Sequence, residues 1–288
     1  MNISLANLQA QEKITWCPGC GNYGILMAVK KALVALNRPS YETCLVTGVG
    51  CSGKFNHFVK TYSFESLHGR SLPVASGICL ANHELNVVAV GGDGDGYGIG
   101  LNHFLHTMRR NLNFTYIVHN NQIYGLTTGQ YSPTTAKGTI SASSPFGALE
   151  EPVNPIKLAL ASNAASFVAR GFAGDIKQLT NLVTQAMQHR GFSFIDVLQP
   201  CVTFNKINTY EFFKKRVYKL EDDKSYDKTN KKQAEERCLE WDKRIATGVY
   251  FQADLPIYED ALPALATTPL VKQDIKNIDI SASCEEFV

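Results

Sequence analysis

The sequence predicts an α/β fold with a mostly parallel sheet and helices on both faces. Two observations carry this expectation. Short apolar runs that read as fully buried strands recur along the chain, and segments of about 10 to 15 residues with helical periodicity alternate with them. A third points to the sheet edge: the runs CLVTGVG (44–50) and NVVAVGG (86–92) both finish in glycine.

The elements follow in order. After the turn WCPGCGN (16–22), GILMAVKKALVAL (24–36) is helical and stops at Asn37-Arg38-Pro39. CLVTGVG is a strand running into glycines. A small-residue helix, VASGICLAN (74–82), precedes the strand NVVAVGG, a helix spans 97–111, and FTYIVHNN (114–121) is the next strand. IKLALASN (156–163) is helical and SFVARGF (166–172) a strand. DIKQLTNLVTQAMQHR (175–190) is an amphipathic helix closed by Gly191, and FSFIDVLQ (192–199) a strand. From 214 to 237 the character changes, with 15 charged residues in 24, and no buried strand can be drawn through it. The tail offers one strand, TGVYFQ (247–252), among proline-punctuated loops. The expected division is an α/β domain over 1–213, then a charged linker and C-terminal extension over 214–288 that packs on the domain or on a partner subunit.

Composition excludes several function classes. Net charge is +2, from 28 basic and 26 acidic residues, with no single-sign block of the size a nucleic-acid footprint needs. No stretch approaches the roughly 18 to 20 apolar residues of a membrane span, and the first residues show neither a basic start nor an apolar core. A soluble cytoplasmic protein without nucleic-acid or membrane partners is expected. Eight cysteines in 288 residues suit metal or redox chemistry better than a disulfide framework.

The segment GGDGDGYGIG (91–100) holds six glycines and two aspartates in ten residues. It fits no register of the dinucleotide fingerprint G-x-G-x-x-G. GVGCSGK (48–54) meets the P-loop pattern until its last position, where Phe55 replaces the hydroxyl that would bind Mg²⁺. A third reading is a diphosphate held through Mg²⁺. Asp93 and Asn121 lie 28 residues apart at the ends of two successive strands, and one right-handed βαβ unit brings those ends side by side. Mg²⁺ takes a few hard oxygens plus phosphates, and glycines let phosphate approach the main chain near a helix start. The arrangement resembles the thiamine diphosphate motif, GDG followed by NN. In that family the first aspartate, the last asparagine and the carbonyl two residues on hold Mg²⁺, which corresponds to Asp93, Asn121 and Ile123.

Four cysteines occupy informative places. Cys17 and Cys20 form a C-x-x-C pair beside a helix, without the upstream strand of a thioredoxin-like motif; Cys51 and Cys201 lie beside strand ends. All four suit one metal site, and spacing alone leaves zinc and iron–sulfur both open. Cys44 and Cys79 fall in apolar segments and read as packing thiols, while Cys238 and Cys284 belong to the tail.

Six motifs together, WCPGCG, GxGCSGK, LHGR (67–70), GDGDG (92–96), NQIYGLTTGQYSPT (121–134) and QPCVTFN (199–205), resemble the β subunit of 2-oxoacid:ferredoxin oxidoreductases. The likeness covers about residues 14 to 210, in order. It implies that Cys17, Cys20, Cys51 and Cys201 ligate one [4Fe–4S] cluster. Val49, Gly50, Cys51, Ser52, His68, Gly94, Asp95, Gly125 and Leu126 would contact thiamine diphosphate. Lys54 would meet the substrate carboxylate, with His68 beside the reaction centre. The alternatives are a solvated loop lysine and a capping histidine; His103 and His106, on one helix face, read as packing or surface residues.

The implied activity is oxidative decarboxylation of a 2-oxoacid to acyl-CoA and CO₂, with electrons passing through the cluster to ferredoxin. Among substrates 2-oxoglutarate is favoured over pyruvate and other 2-oxoacids. The family draws the glutamate that activates the cofactor from an α subunit, and no glutamate in the matched motifs replaces it. The chain is therefore expected to need that partner, in a heterodimer or α₂β₂ assembly. A rival reading is a non-redox thiamine diphosphate decarboxylase or synthase subunit with a structural zinc; another is a metal-stabilised assembly subunit without catalysis.

Overall fold

The computed structural model describes residues 3–265, 268–276 and 278–286. Its strands are β1 (Thr43–Thr47), β2 (Tyr62–Glu65), β3 (Asn86–Gly92), β4 (Thr115–Asn120), β5 (Phe167–Phe172), β6 (Ser193–Leu198), β7 (Val217–Lys219) and β8 (Ile245–Gln252). They form one eight-stranded sheet in the order β2-β1-β3-β4-β6-β5-β8-β7. Strands β1 to β6 run parallel, β8 is antiparallel to β5, and β7 is parallel to β8.

The helices are α1 (Asn22–Ala35), α2 (Gly50–Gly53), α3 (Ser71–Ala81), α4 (Leu101–Arg110), α5 (Pro155–Leu160), α6 (Ile176–Gln188), α7 (Tyr210–Lys214), α8 (Lys231–Arg237) and α9 (Ser281–Glu285). Alternate residues of the central strands feed opposite cores. Leu45, Val88, Ile117 and Ile195 pack with Ile25 and Val29 of α1 and Leu179 and Val183 of α6. Val46, Ala89, Val118 and Phe194 pack with Leu72 of α3, Phe104 and Met108 of α4 and Ile156 of α5. This two-sided burial is why the strands read as continuous apolar runs. The architecture is the α/β one expected.

Strand β1 has β2 on one side and β3 on the other, so the order reverses there. In open parallel sheets the crevice at such a point, beyond the carboxyl ends of the strands, takes the ligand. In β3 and β4, Gly92 pairs with His119, so the next residues of both strands emerge level with each other.

The structure differs from the sequence expectation in places. The helix expected over 97–111 begins only at Leu101; before it, Asp95–Ile99 form a wide turn with Gly98 off helical geometry (φ −88, ψ −111). Alternating glycines give little helical propensity, and this backbone approaches its neighbours too closely to carry side chains. Helix α3 starts at Ser71, earlier than 74, because Pro73 is tolerated in a first helical turn. Strand β2 had no signal: its four residues lie exposed at the sheet edge. Within 214–237 the chain forms β7, three half-buried residues, and α8, capped by the Asn230 side chain. Strand β8 starts at Ile245, two residues before the expected 247.

Candidate active site

A cavity of about 340 Å³ opens beyond the carboxyl ends of β1, β3, β4 and β6. Residues from five chain segments wall it: Val49 to Ser52, His68, Gly92 to Asp95, His119 with Asn121, and Ile123 to Thr127 with Gln199 opposite. Each of the expected cofactor contacts Val49, Gly50, Cys51, Ser52, His68, Gly94, Asp95, Gly125 and Leu126 faces this one space.

Asp93 follows β3 and is 1% exposed. Its Oδ2 accepts hydrogen bonds from Ser132 Oγ at 2.5 Å and Thr134 Oγ1 at 2.7 Å. It makes no ion pair among the described residues. Burial pushes its carboxyl up to about 6, against the downward pull of the two hydroxyls and backbone N–H groups. A carboxylate walled off from water in this way is stabilised by a hard cation. Asn121, one residue beyond the position level with Asp93 on the neighbouring strand, accepts a hydrogen bond from the Ile123 N–H at 3.0 Å, which folds the loop so that Asn121 and Ile123 both border the cavity. The donor set of Asp93 and Asn121 side chains with the Ile123 carbonyl thus fits Mg²⁺.

Glycines here are close-approach residues. A Cβ on Gly94 would lie 2.2 Å from the Tyr124 ring, and one on Gly48 would lie 1.9 Å from the Asp95 carboxylate. Tyr124 donates its hydroxyl to the Gly94 carbonyl at 3.0 Å, clamping the 121–130 loop onto the turn. The bare backbone leaves room for a diphosphate.

Asp95 turns its carboxylate sideways to the LHGR loop. Oδ1 accepts from the Gly69 N–H at 2.7 Å and lies 2.8 Å from His68 Nδ1. A carboxylate oxygen accepts here, so Nδ1 is the donor and Nε2 is the ring nitrogen left toward the cavity. His119 is similarly fixed. Asn22 directs its amide N–H toward the Cys51 carbonyl at 3.5 Å and its oxygen to His119 Nδ1 at 2.8 Å. His119 Nε2 has no partner among the described residues, and burial holds this imidazole down to about 3, hence neutral. Gln199 donates to Cys20 Sγ at 3.3 Å and to the Pro200 carbonyl at 2.9 Å, leaving Oε1 without a partner among the described residues at the same cavity.

The four thiols come from three loops at this rim. Gly21 N–H donates to the Pro200 carbonyl at 3.1 Å, joining the CPGC loop to the Cys201 loop. Trp16 Nε1 donates to the Cys51 carbonyl at 2.7 Å. A methyl on Gly125 would touch Cys51 Sγ at 3.6 Å and Cys201 Sγ at 3.7 Å. Burial pushes the Cys20 thiol up to about 12; the Asn22 N–H opposes this, and Cys201, Cys51 and Cys17 raise it further. Cys17, Cys51 and Cys201 are all near enough to Cys20 for their ionised forms to repel one another, a repulsion that a bound cation would relieve. No three His, Cys, Asp or Glu side chains among the described residues group as ligands of a single metal ion. Zinc needs sulfurs about 2.3 Å from one centre, whereas a cluster holds its thiolates on separate irons.

Lys54 opens the turn Lys54–Phe58, half-buried, close enough to Cys51 to lower its thiol against burial. It lies outside the residues that wall the cavity. His103 and His106 lie on α4 away from this space, His106 beside Arg109 at 3.4 Å. Cys44, Cys79 and Cys238 are buried and Cys284 is exposed. Sequence reasoning missed Ser132, Thr134, Tyr124, His119 and Gln199. All but His119 fall within quoted motifs, yet only the folded loop shows which atoms they face.

Residues 48–197 match the family described as thiamine pyrophosphate enzyme, C-terminal TPP binding domain, and residues 201–267 match the family of C-terminal regions of the pyruvate ferredoxin oxidoreductase β chain. The β subunit of the 2-oxoacid:ferredoxin oxidoreductase of Saccharolobus solfataricus is 46% identical over 251 residues, 83% of this chain and 82% of the relative. A 2-oxoglutarate oxidoreductase subunit of Mycobacterium tuberculosis is 40% identical over 230 residues, 80% of this chain and 57% of the relative. The solved 2-oxoglutarate:ferredoxin oxidoreductase of Magnetococcus marinus, with 2-oxoglutarate, coenzyme A and succinyl-CoA bound, superposes with a TM-score of 0.90 at 34% identity, over 99% of this chain and 96% of that one.

Proposed function

The chain belongs to the β subunits of 2-oxoacid:ferredoxin oxidoreductases, and from that premise we infer that it carries the thiamine diphosphate and [4Fe–4S] half of such an enzyme. The reaction is oxidative decarboxylation of a 2-oxoacid to acyl-CoA and CO₂, with ferredoxin as acceptor. The observation that carries this reading is the meeting, at Gly125, of the cavity wall with the thiols of Cys51 and Cys201. No helix among the described residues is long and apolar enough to cross a membrane. The cytoplasm is the proposed location, since thiols that hold a cluster need a reducing compartment.

Thiamine diphosphate supplies the carbon–carbon bond cleavage and the cluster takes up electrons singly. This chain's residues bind and orient. Asp93, Asn121 and the Ile123 carbonyl would hold Mg²⁺ and, through it, the diphosphate, while Gly94 and the turn after it leave the main chain open to phosphate. His68, steadied by Asp95 through Nδ1, would present Nε2 as the group that takes up and returns a proton. Cys17, Cys20, Cys51 and Cys201 would ligate the cluster beside the cavity. Lys54, next to Cys51, would pair with the substrate carboxylate, an attraction that grows once a partner excludes water. That partner is the α subunit, which completes the site over the exposed rim of Leu67, Ile99 and Leu126. Residues 1–213 carry all these groups, and 214–288 serve as an extension whose strands β7 and β8 continue the same sheet.

For substrate the reading is 2-oxoglutarate first, with pyruvate and broader 2-oxoacids as competitors. The test is the chain purified without oxygen together with its α subunit. It should be brown, with absorption near 400 nm, and reduce ferredoxin with a 2-oxoacid and coenzyme A. Colourless protein with stoichiometric zinc would replace this reading with a non-redox thiamine enzyme. Failure to bind thiamine diphosphate with Mg²⁺ would reduce it to an assembly subunit.

A further inference from the structure

We propose that the turn Ser132–Pro133–Thr134–Thr135 is a positioning brace that sets the distance between the two strand ends bearing the cation ligands. This rests on the reading of Asp93 and Asn121 as those ligands. The turn lies 39 to 42 residues beyond Asp93 in sequence, yet it bonds to both ends. Toward β3, Ser132 Oγ and Thr134 Oγ1 reach the same Asp93 oxygen, Oδ2, at 2.5 and 2.7 Å. Toward β4, Thr135 Oγ1 donates to the Gln122 carbonyl at 2.6 Å, between Asn121 and Ile123.

The brace is rigid and dry. Ser132, Thr134 and Thr135 are 2%, 2% and 4% exposed. Ser132 N–H donates to Thr135 Oγ1 at 2.8 Å and Thr135 N–H to the Ser132 carbonyl at 3.0 Å, closing the turn around a proline whose ring fixes φ. Gln122, the residue it grips, has φ 58, a left-handed backbone that a non-glycine residue keeps only when its surroundings hold it.

The two hydroxyl donors on Oδ2 fix the orientation of the carboxylate that would face a cation. Thr134 has one hydroxyl hydrogen for two neighbours, Asp93 at 2.7 Å and the Asn120 side-chain oxygen at 3.0 Å. The charged oxygen takes it. Asn120 keeps its oxygen on this side because its amide donates to Asp196 Oδ1 at 2.9 Å, and Asp196 is held by Arg170 at 3.0 Å. Hydrogen-bond partners behind metal ligands set ligand orientation and affinity in this way.

The experiment uses the full chain assembled with its α subunit and reads the Mg²⁺ concentration for half-maximal retention of thiamine diphosphate, with Mn²⁺ paramagnetic resonance as a second probe. Thr134→Val and Thr135→Val should each weaken cation affinity about 10- to 100-fold, and Thr134→Ser and Thr135→Ser should restore it, with iron–sulfur absorption unchanged. Wild-type midpoints in both valine variants would overturn the brace, as would equal losses in the serine variants, which keep the hydroxyl. Asp93→Ala is measured alongside. If it keeps Mg²⁺-dependent retention, the reading of Asp93 fails; if it loses retention while the turn variants do not, only the brace falls.

Discussion

At the scale of single residues, the site depends on how two carboxylates with similar sequence surroundings are oriented. Asp93 and Asp95 lie two positions apart in GDGDG, yet one faces a hydroxyl-lined pocket and the other clasps His68 and Gly69. Asp95→Asn lets an amide N–H face His68 Nδ1 and favours the other tautomer. If His68 moves a proton, turnover measured at saturating thiamine diphosphate should fall on the order of 100-fold or more, beyond any change in cofactor affinity. Steady-state kinetics with a cofactor titration check this; an unchanged turnover number contradicts it. Asp93→Ala should abolish Mg²⁺-dependent cofactor retention and leave the brown colour, read as bound thiamine diphosphate against absorption near 400 nm. That the expected cofactor residues would gather at one cavity was legible because glycine and aspartate at those spacings mark strand ends and close backbone approaches. Ser132 and Thr134 were not, because a buried serine or threonine is common and its partner depends on how a long loop returns to the sheet.

At the scale of elements, periodicity reads what burial enforces. Strands β1, β3, β4, β5 and β6 were legible because both faces are covered, whereas β2 lies exposed at the edge and β7 is only half-buried. The late start of α4 was not legible, since the tyrosine and isoleucine between the glycines mimic helical spacing while the backbone follows a wide turn. Helix α6 was readable at the residue that caps it, Asp175, whose side chain accepts from the Gln178 N–H at 2.9 Å and pairs with Lys219 at 2.7 Å. Burial raises the Asp175 carboxyl, but these bonds outweigh it and hold it below the ordinary value. A depressed carboxyl contributes stability above its unfolded pKa of about 3.9, and that contribution is lost as pH falls below it. Asp175→Ala should therefore cost about 1 kcal/mol at pH 7 and almost nothing near pH 2, by denaturant unfolding at both pH values.

At the scale of the whole molecule, a buried polar line crosses the sheet beneath the site. Arg170 on β5 pairs with Asp196 on β6, and Asp196 also accepts from Tyr97 at 3.0 Å and from Asn120 on β4. Arg170 is 1% exposed and Asp196 0%. Arg170→Met leaves a buried carboxylate unpaired, which typically costs about 3 to 5 kcal/mol, and thermal unfolding should show a lowered midpoint. An unchanged midpoint would mean the pair contributes nothing to the fold. On this sheet the cavity lined by Asp93 and Asn121 and the thiols of Cys51 and Cys201 share one rim, with Gly125 touching both, and the central claim is that a cation pocket and a cluster site there would work as a single reaction chamber. Its most direct measurement is iron, acid-labile sulfide and zinc in the anaerobically purified complex, with Cys201→Ser beside the native chain. The account predicts iron and sulfide at one [4Fe–4S] per chain, lost or altered in Cys201→Ser while thiamine diphosphate still binds; zinc in place of iron, or a cluster indifferent to Cys201, would contradict it.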